Sequence, residues 1–215
     1  MSAESGVPTF RGNNGLWKQY QAEDLATQEA FSRDPKTVWE WYDWRRCLIA
    51  EAKPNAGHFA LAELERRIPN FTLITQNVDD LHDAAGSRNV LKVHGSIWML
   101  RCTRCGDERL DRTVPLPELP PKCGCGGLLR PGVVWFGEML PARVWQNAER
   151  AAEEAEVFLV IGTSALVYPA AGLAGIAKQS GAKVVEINIE ETPLSRRTDA
   201  FLQGPSAELL PQLMG

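Results

Sequence analysis

The spacing of apolar positions changes character near residue 70. Ahead of it the apolar residues recur at helical spacing. Asp34 followed by Pro35 is a helix start, with Asp as N-cap and Pro at the first helical position. The predicted helix runs through Thr37 to Ala52 and stops before Pro54. A second is predicted from Asn55, with Phe59, Leu61, Leu64 and Ile68 on its apolar side and its end at Pro69. The opening stretch, Ser2 to Gly15, is rich in Gly, Pro, Ser and Asn and reads as a loop. Beyond residue 70 the apolar residues come in short unbroken runs. Phe71 to Thr75, Val133 to Phe136, Val157 to Ile161 and Lys183 to Ile187 are predicted strands, with helical segments at Ala142 to Ala155 and Ala170 to Gln179.

Continuous apolar strands alternating with helices predict an α/β fold, in which a parallel sheet is covered on both faces. Three of the strands run straight into polar segments: Thr75-Gln76-Asn77, Gly162-Thr163-Ser164 and Asn188-Ile189-Glu190. Ligands of such sheets bind beyond the carboxyl ends of the strands, so a ligand site is predicted there.

Composition narrows the classes. The 215 residues suit one large domain, or one domain carrying a small insert. With 23 basic and 27 acidic residues the net charge is −4, which argues against a protein that neutralises duplex phosphates. No direct nucleic-acid partner is expected. Apolar stretches such as Val157 to Ile161 are far too short to span a bilayer, and Met1 to Ser5 has neither the basic start nor the apolar core of a signal peptide. Five cysteines, an odd number without a leader, point to a reducing compartment, expected to be the cytoplasm.

The placement of those cysteines matters more than their number. Cys47 stands alone in a helical stretch. Cys102-Thr-Arg-Cys105 and Cys123-Gly-Cys125 are two tight pairs, separated by a polar, Pro-rich linker. Four thiolates close a tetrahedron around zinc and leave no open position, so the expectation is one structural zinc.

Other residues are ambiguous from spacing alone. His94 ends the apolar run Leu91-Lys92-Val93 and precedes Gly95, where the lack of a Cβ allows close approach of another backbone or a ligand. It reads either as a hydrogen-bonded structural residue or as an acid–base group. His58 and His82 lie in helical segments and read as structural. In Gln76-Asn77-Val78-Asp79-Asp80, one carboxylate can cap the following short helix while Asn77 and Asp79 face the crevice. Tyr42 and Arg45, at i and i+3, share a helix face. They read either as a half-buried phenol beside a solvated cation or as a paired carboxylate receptor.

Taken in order, Ser2-Ala-Glu-Ser-Gly-Val-Pro-Thr-Phe-Arg-Gly12, Thr75-Gln-Asn-Val-Asp-Asp-Leu-His82, Val93-His-Gly95, the four cysteines, Arg130-Pro-Gly-Val-Val-Trp-Phe-Gly-Glu138 and Gly162-Thr-Ser164 resemble the sirtuin family of NAD-dependent protein deacylases along nearly the whole chain. The resemblance implies a single catalytic domain with a Rossmann-like NAD-binding part, a helical module at about 17–69 and a zinc module at about 96–130. It implies that Ala3, Phe10, Arg11, Gln76, Asn77, Val78, Asp79, Gly162, Thr163, Ser164, Asn188, Ile189 and Glu190 surround NAD. Ser206 would touch the adenine. His94 would be the catalytic base, with Asn77 and Asp79 assisting. The partners implied are acylated lysine side chains of proteins, and the products are free lysine, nicotinamide and O-acyl-ADP-ribose. In that mechanism the acyl oxygen attacks the ribose carbon as nicotinamide departs, and His94 takes a proton from a ribose hydroxyl. Segments 134–138 and 167–169 would pair with the substrate backbone. Tyr42 and Arg45 match the pair that marks removal of acidic acyl groups, succinyl and malonyl, besides acetyl. The family's first strand and its Gly-Ala-Gly loop are expected ahead of Ser2, where this sequence has Met1. Without them the alternative is an inactive protein that binds acyl-lysine without turnover.

Overall fold

Asp34 opens the longest helix as its sequence dictates. Its side chain accepts the Thr37 amide at 3.1 Å, and Pro35 occupies the first turn. The computed structural model describes residues 1–8 and 22–213. In it, α1 (Ala22–Leu25) and α2 (Gln28–Arg33) lead into this helix, α3 (Pro35–Glu51), which is followed by α4 (Ala56–Arg67). α3 is buried along much of its length. Trp39, Tyr42 and Arg46 are fully buried, and each large apolar side chain so covered contributes about 1.5–3 kcal/mol. Trp39 Nε1 donates to the Leu129 carbonyl at 2.7 Å. Arg46 donates to the carbonyls of Asp111 and Thr113 at 2.7 and 3.0 Å and lies over the Trp98 ring. A buried guanidinium persists because its donors find carbonyls.

The strands form separate sheets. β1 (Leu73–Thr75) leads through the short α5 (Leu81–Ala84) to β2 (Val90–Lys92), which pairs with β1 in parallel. β3 (Gly95–Cys102) lies between β4 (Glu108–Leu110) and β5 (Leu129–Val133), antiparallel to both, and this sheet carries the cysteines. α6 (Ala142–Glu153) precedes β6 (Val157–Ile161), and α7 (Leu173–Gln179) precedes β7 (Lys183–Asn188). β8 (Ala200–Gln203) completes the parallel order β6-β7-β8, and α8 (Ser206–Gln212) packs on α4. The class is α/β, as predicted. Among the described residues no helix is long and apolar enough to cross a membrane.

Three expectations need correction. Val133 to Phe136 is not a strand of the parallel sheet. The strand ends at Val133, runs antiparallel against β3, and leaves Phe136 exposed. An apolar run cannot report which sheet it joins. On α4, Phe59 and Ile68 face solvent while Ala60 and Leu61 are buried, because α8 packs on the other side. The segment from Ala170 begins as a 3-10 turn, and the α-helix starts at Leu173.

Asn55 caps α4 by accepting the amides of Gly57 and His58, and its own amide donates to His58 Nδ1 at 3.2 Å. His58 is fully buried and lies 4.8 Å, centroid to centroid, from His82 on α5. Burial, with His82 beside it, pushes the His58 pKa down to about 3, and burial lowers that of His82 as well. Both are therefore neutral in the folded chain at pH values where the unfolded chain, with histidine pKa about 6.5, is protonated. Stability is expected to hold above about pH 6.5 and to fall as the pH drops towards 5. The slope is up to about 1.4 kcal/mol per pH unit for each proton taken up on unfolding. Urea midpoints across that window check it; a flat profile contradicts it.

Candidate active site at the carboxyl ends of the parallel strands

β1 ends at Thr75, whose hydroxyl accepts the Asn77 amide at 3.1 Å and turns the chain. The Asn77 side chain donates to Ser2 Oγ at 2.7 Å, so the N-terminal turn is held against this loop. Two residues beyond β2, His94 Nδ1 lies 3.1 Å from the Gln76 carbonyl. A carbonyl only accepts, so the proton sits on Nδ1, and Nε2 is left as the basic nitrogen. Burial pulls the His94 pKa below the usual histidine value, opposed by that hydrogen bond. The ring is therefore neutral at pH 7. From the other sheet, Gly162 turns at φ +57° after β6. Thr163 accepts the Asn188 side chain on its carbonyl at 2.8 Å and Gln76 Nε2 on its hydroxyl at 3.4 Å. The ends of β1, β6 and β7 are thereby knitted around one cavity of about 1390 Å³, into which Gln76, Asn77, Val78, His94, Gly162, Thr163 and Ser164 all face.

The remaining residues singled out by sequence are distributed differently. Among the described residues, Ala3, Asp79, Asn188, Ile189, Glu190 and Ser206 do not line that cavity. Ala3 and Ile189 are exposed, and Glu190 follows Ile189 in the loop after β7. Asp79 is buried and caps α5 by accepting the Leu81 amide at 2.9 Å. Asp80 adopts the left-handed conformation at φ +64° and spends its carboxylate on Lys92 and Arg112, at 2.7 and 3.0 Å. Ser206 is buried against Glu4, its hydroxyl donating at 2.5 Å. Phe10 and Arg11 lie outside the described residues. Ser2 joins the site through Asn77 without having been singled out. No spacing signal marks a serine whose partner is 75 positions away.

Tyr42 lines the cavity wall, fully buried, and its oxygen accepts Trp135 Nε1 at 2.9 Å. Burial raises its pKa, so the phenol keeps its proton. Arg45 lies one turn further along α3, buried over the Trp41 ring, and donates to the Pro8 carbonyl at 3.2 Å. Among the described residues it does not line the cavity.

The four paired cysteines converge as their spacing predicts. All four sulfurs lie within 4.8 Å of one another, with Cys102 to Cys125 at 3.5 Å and Cys105 to Cys123 at 3.8 Å. A zinc tetrahedron with bonds of about 2.3 Å has sulfur–sulfur edges of about 3.8 Å, so the donor set fits one structural zinc. The amide of Cys105, then that of Arg104, pulls the Cys102 thiol down to about 6, which favours the thiolate a metal needs. Native, reduced protein is expected to carry one zinc per chain. Changing Cys125 to Ala is expected to remove the metal and unfold the β3-β4-β5 sheet. Metal analysis showing no zinc in the reduced native chain would overturn the assignment.

Residues 1–169 match the profile of the Sir2 family. An NAD-dependent protein deacylase of Aquifex aeolicus (strain VF5) is 60% identical over 200 residues, covering 93% of this chain and 84% of that protein. The crystal structure of a Sir2 homolog–NAD complex superposes with a TM-score of 0.94 at 52% identity, covering 99% of this chain and 83% of that one. A Sir2 variant with a deacetylated peptide and 3′-O-acetyl-ADP-ribose superposes at 0.89 with 33% identity, covering 99% and 88%. A profile match over most of the chain, joined to this likeness in sequence and shape, has one meaning: the chain belongs to the Sir2 family.

Proposed function

We propose that this chain is an NAD-dependent protein-lysine deacylase and that His94 is its general base. The supporting observation is His94 itself. Its Nδ1 is anchored to the Gln76 carbonyl, and its neutral ring shares a cavity with Asn77 and the Gly162-Thr163-Ser164 turn. The relative from Aquifex aeolicus is named for this activity, and the solved neighbours hold NAD in one case and a deacetylated peptide with an acetyl-ADP-ribose in another.

NAD supplies a ribose carbon that parts with nicotinamide and accepts the acyl oxygen. The chain's residues do the rest. Gln76, Asn77 and the Gly162 turn hold the cofactor at the strand ends, where backbone donors gather. Asn188 reaches the same floor by fixing Thr163. Asp79 keeps the Asn77 loop in place through its cap on α5. His94 Nε2 takes a proton from a sugar hydroxyl, a step that suits the basic nitrogen of a neutral imidazole. The substrate backbone lies between segments 134–138 and 167–169. Met139 and Tyr168, 92% and 75% exposed, supply an apolar rim too open to serve the core. A reducing, cytoplasmic setting suits five unpaired cysteines.

The acyl range extends to succinyl and malonyl groups as well as acetyl. Tyr42 offers its hydroxyl on the cavity wall, and the Arg45 guanidinium stands one helical turn behind, able to exchange the Pro8 carbonyl for a carboxylate. A charge-assisted contact of this kind is worth roughly 1.5–3 kcal/mol. Arg45→Met is expected to cost on the order of 10–100-fold in kcat/KM on a succinyl-lysine peptide and to leave the acetyl-lysine peptide nearly unaffected. Matched steady-state kinetics decide it. Equal losses on both peptides would make Arg45 a support for Pro8 and α3 alone, and turnover of neither peptide by the parent chain would count against deacylation.

A further inference from the structure

Tyr42 keeps an unspent hydrogen bond on the cavity wall. A phenol both donates and accepts, whereas an indole N–H only donates. Trp135 Nε1 lies 2.9 Å from the Tyr42 oxygen, so Trp135 is the donor and Tyr42 the acceptor. Both side chains are buried, and both line the cavity that holds His94. Among the described residues this is the one hydrogen bond of the Tyr42 oxygen, so the phenol proton has no acceptor there. Burial keeps that proton in place. A buried donor is normally paired, so an unpaired one on a cavity wall points to an acceptor carried by what the cavity receives. The indole is held firmly in its donating position. The Arg130 guanidinium lies 3.4 Å from the Trp135 ring centroid, and Phe31 packs on the same ring at 5.3 Å between centroids. Arg130 pairs with both oxygens of Glu138, at 2.5 and 3.0 Å. The same carboxylate accepts the Trp135 amide at 2.8 Å.

We propose that Trp135 is a positioning residue for acyl choice, which it exerts by donating to the Tyr42 oxygen and so committing the Tyr42 hydroxyl to act as a donor towards the acyl chain. The proposal rests on Tyr42 reading the acyl group, as set out above. An oxygen that accepts from one neighbour donates more strongly to the next, because chained hydrogen bonds polarise one another. The chain formed is indole N–H to phenol oxygen, then phenol O–H to the bound acyl group. It favours an acyl group that ends in an acceptor, above all a carboxylate. An acetyl group ends in a methyl and gains nothing from it. The Glu138 carboxylate that fixes Arg130 and the Trp135 amide belongs to the 134–138 segment, so the residues proposed to hold the substrate backbone also set the donor that reads its side chain.

The test measures binding of matched succinyl-lysine and acetyl-lysine peptides by calorimetry without NAD, so that no turnover enters. The quantity read is the ratio of the two affinities, in which any general loss of peptide binding cancels. Trp135 is replaced by 3-benzothienylalanine, which keeps the indole's shape and has sulfur in place of the N–H. The succinyl-to-acetyl ratio is expected to fall by roughly 3–10-fold. Trp135→Phe gives a second reading of the same ratio with an encoded residue. Tyr42→Phe is expected to lower the ratio at least as much. In the Tyr42→Phe background the benzothienyl replacement should lower it no further, because the indole acts through that oxygen alone. A ratio unchanged by the benzothienyl replacement but lowered by Tyr42→Phe overturns the role of Trp135 and leaves that of Tyr42 standing. Losses that add in the doubly altered chain overturn it too, since Trp135 would then act by packing. A ratio moved by neither change, or a parent chain that binds neither peptide, overturns both.

Discussion

Gly95→Ala is expected to destabilise the chain by at least about 3 kcal/mol, a loss of roughly 10²-fold in the ratio of folded to unfolded molecules. Gly95 sits at φ +78°, and a Cβ there would stand 2.2 Å from the Gly132 carbonyl oxygen. That oxygen belongs to β5, held against β3 by its ladder, and cannot swing aside as the tip of a side chain would. The strain of a left-handed alanine, about 1–2 kcal/mol, adds to the displaced backbone. The Val134 amide bonds the His94 carbonyl at this crossing, so the His94 ring would shift with it. Gly86→Ala is the control. It has φ +100° but nothing within 4 Å of the added carbon, and should show the conformational strain alone. Urea midpoints for both variants decide the matter, and equal losses would mean that the approach of Gly132 is not limiting.

His94→Ala is expected to retain the fold and lose roughly 10²–10⁴-fold in deacylation, the usual range for a missing acid–base group. The ring is half-buried, and its hydrogen bond among the described residues is the one of 3.1 Å to the Gln76 carbonyl, so its removal takes little packing away. Substrate binding should persist, since Asn77 and the Gly162 turn are untouched. The acid limb of the parent's rate profile should fall below pH 6.5, because burial lowers the His94 pKa and the ring stays neutral and basic until then. Near-parental turnover by the variant would remove His94 from the mechanism.

What could be read from the sequence was what local chemistry enforces. Asp34-Pro35 starts α3 because a cap and a proline act within one turn. The cysteine pairs converge because tight knuckles present two sulfurs each. The polar segments after β1 and β6 gather at one cavity because both strands end there, while Asn188 to Glu190 after β7 do not line it. What could not be read depends on distant partners. Val133 to Phe136 looked like β6, but only pairing with β3 decides its sheet. Phe59 and Ile68 fit a helical stripe that α8 leaves uncovered. Arg46 carries no motif, yet it is buried by two carbonyls more than sixty positions away. That β6 pairs only with β7 among the described residues is likewise invisible in its own five residues.

The central claim is that the cavity containing His94 uses NAD to remove an acyl group from lysine. The most direct measurement incubates the 215-residue chain with NAD and an acetyl-lysine peptide and resolves all products by mass spectrometry. The expected result is deacetylated peptide, nicotinamide and O-acetyl-ADP-ribose in equal amounts. Binding of the peptide with no nicotinamide released would contradict it and leave an acyl-lysine-binding protein without turnover.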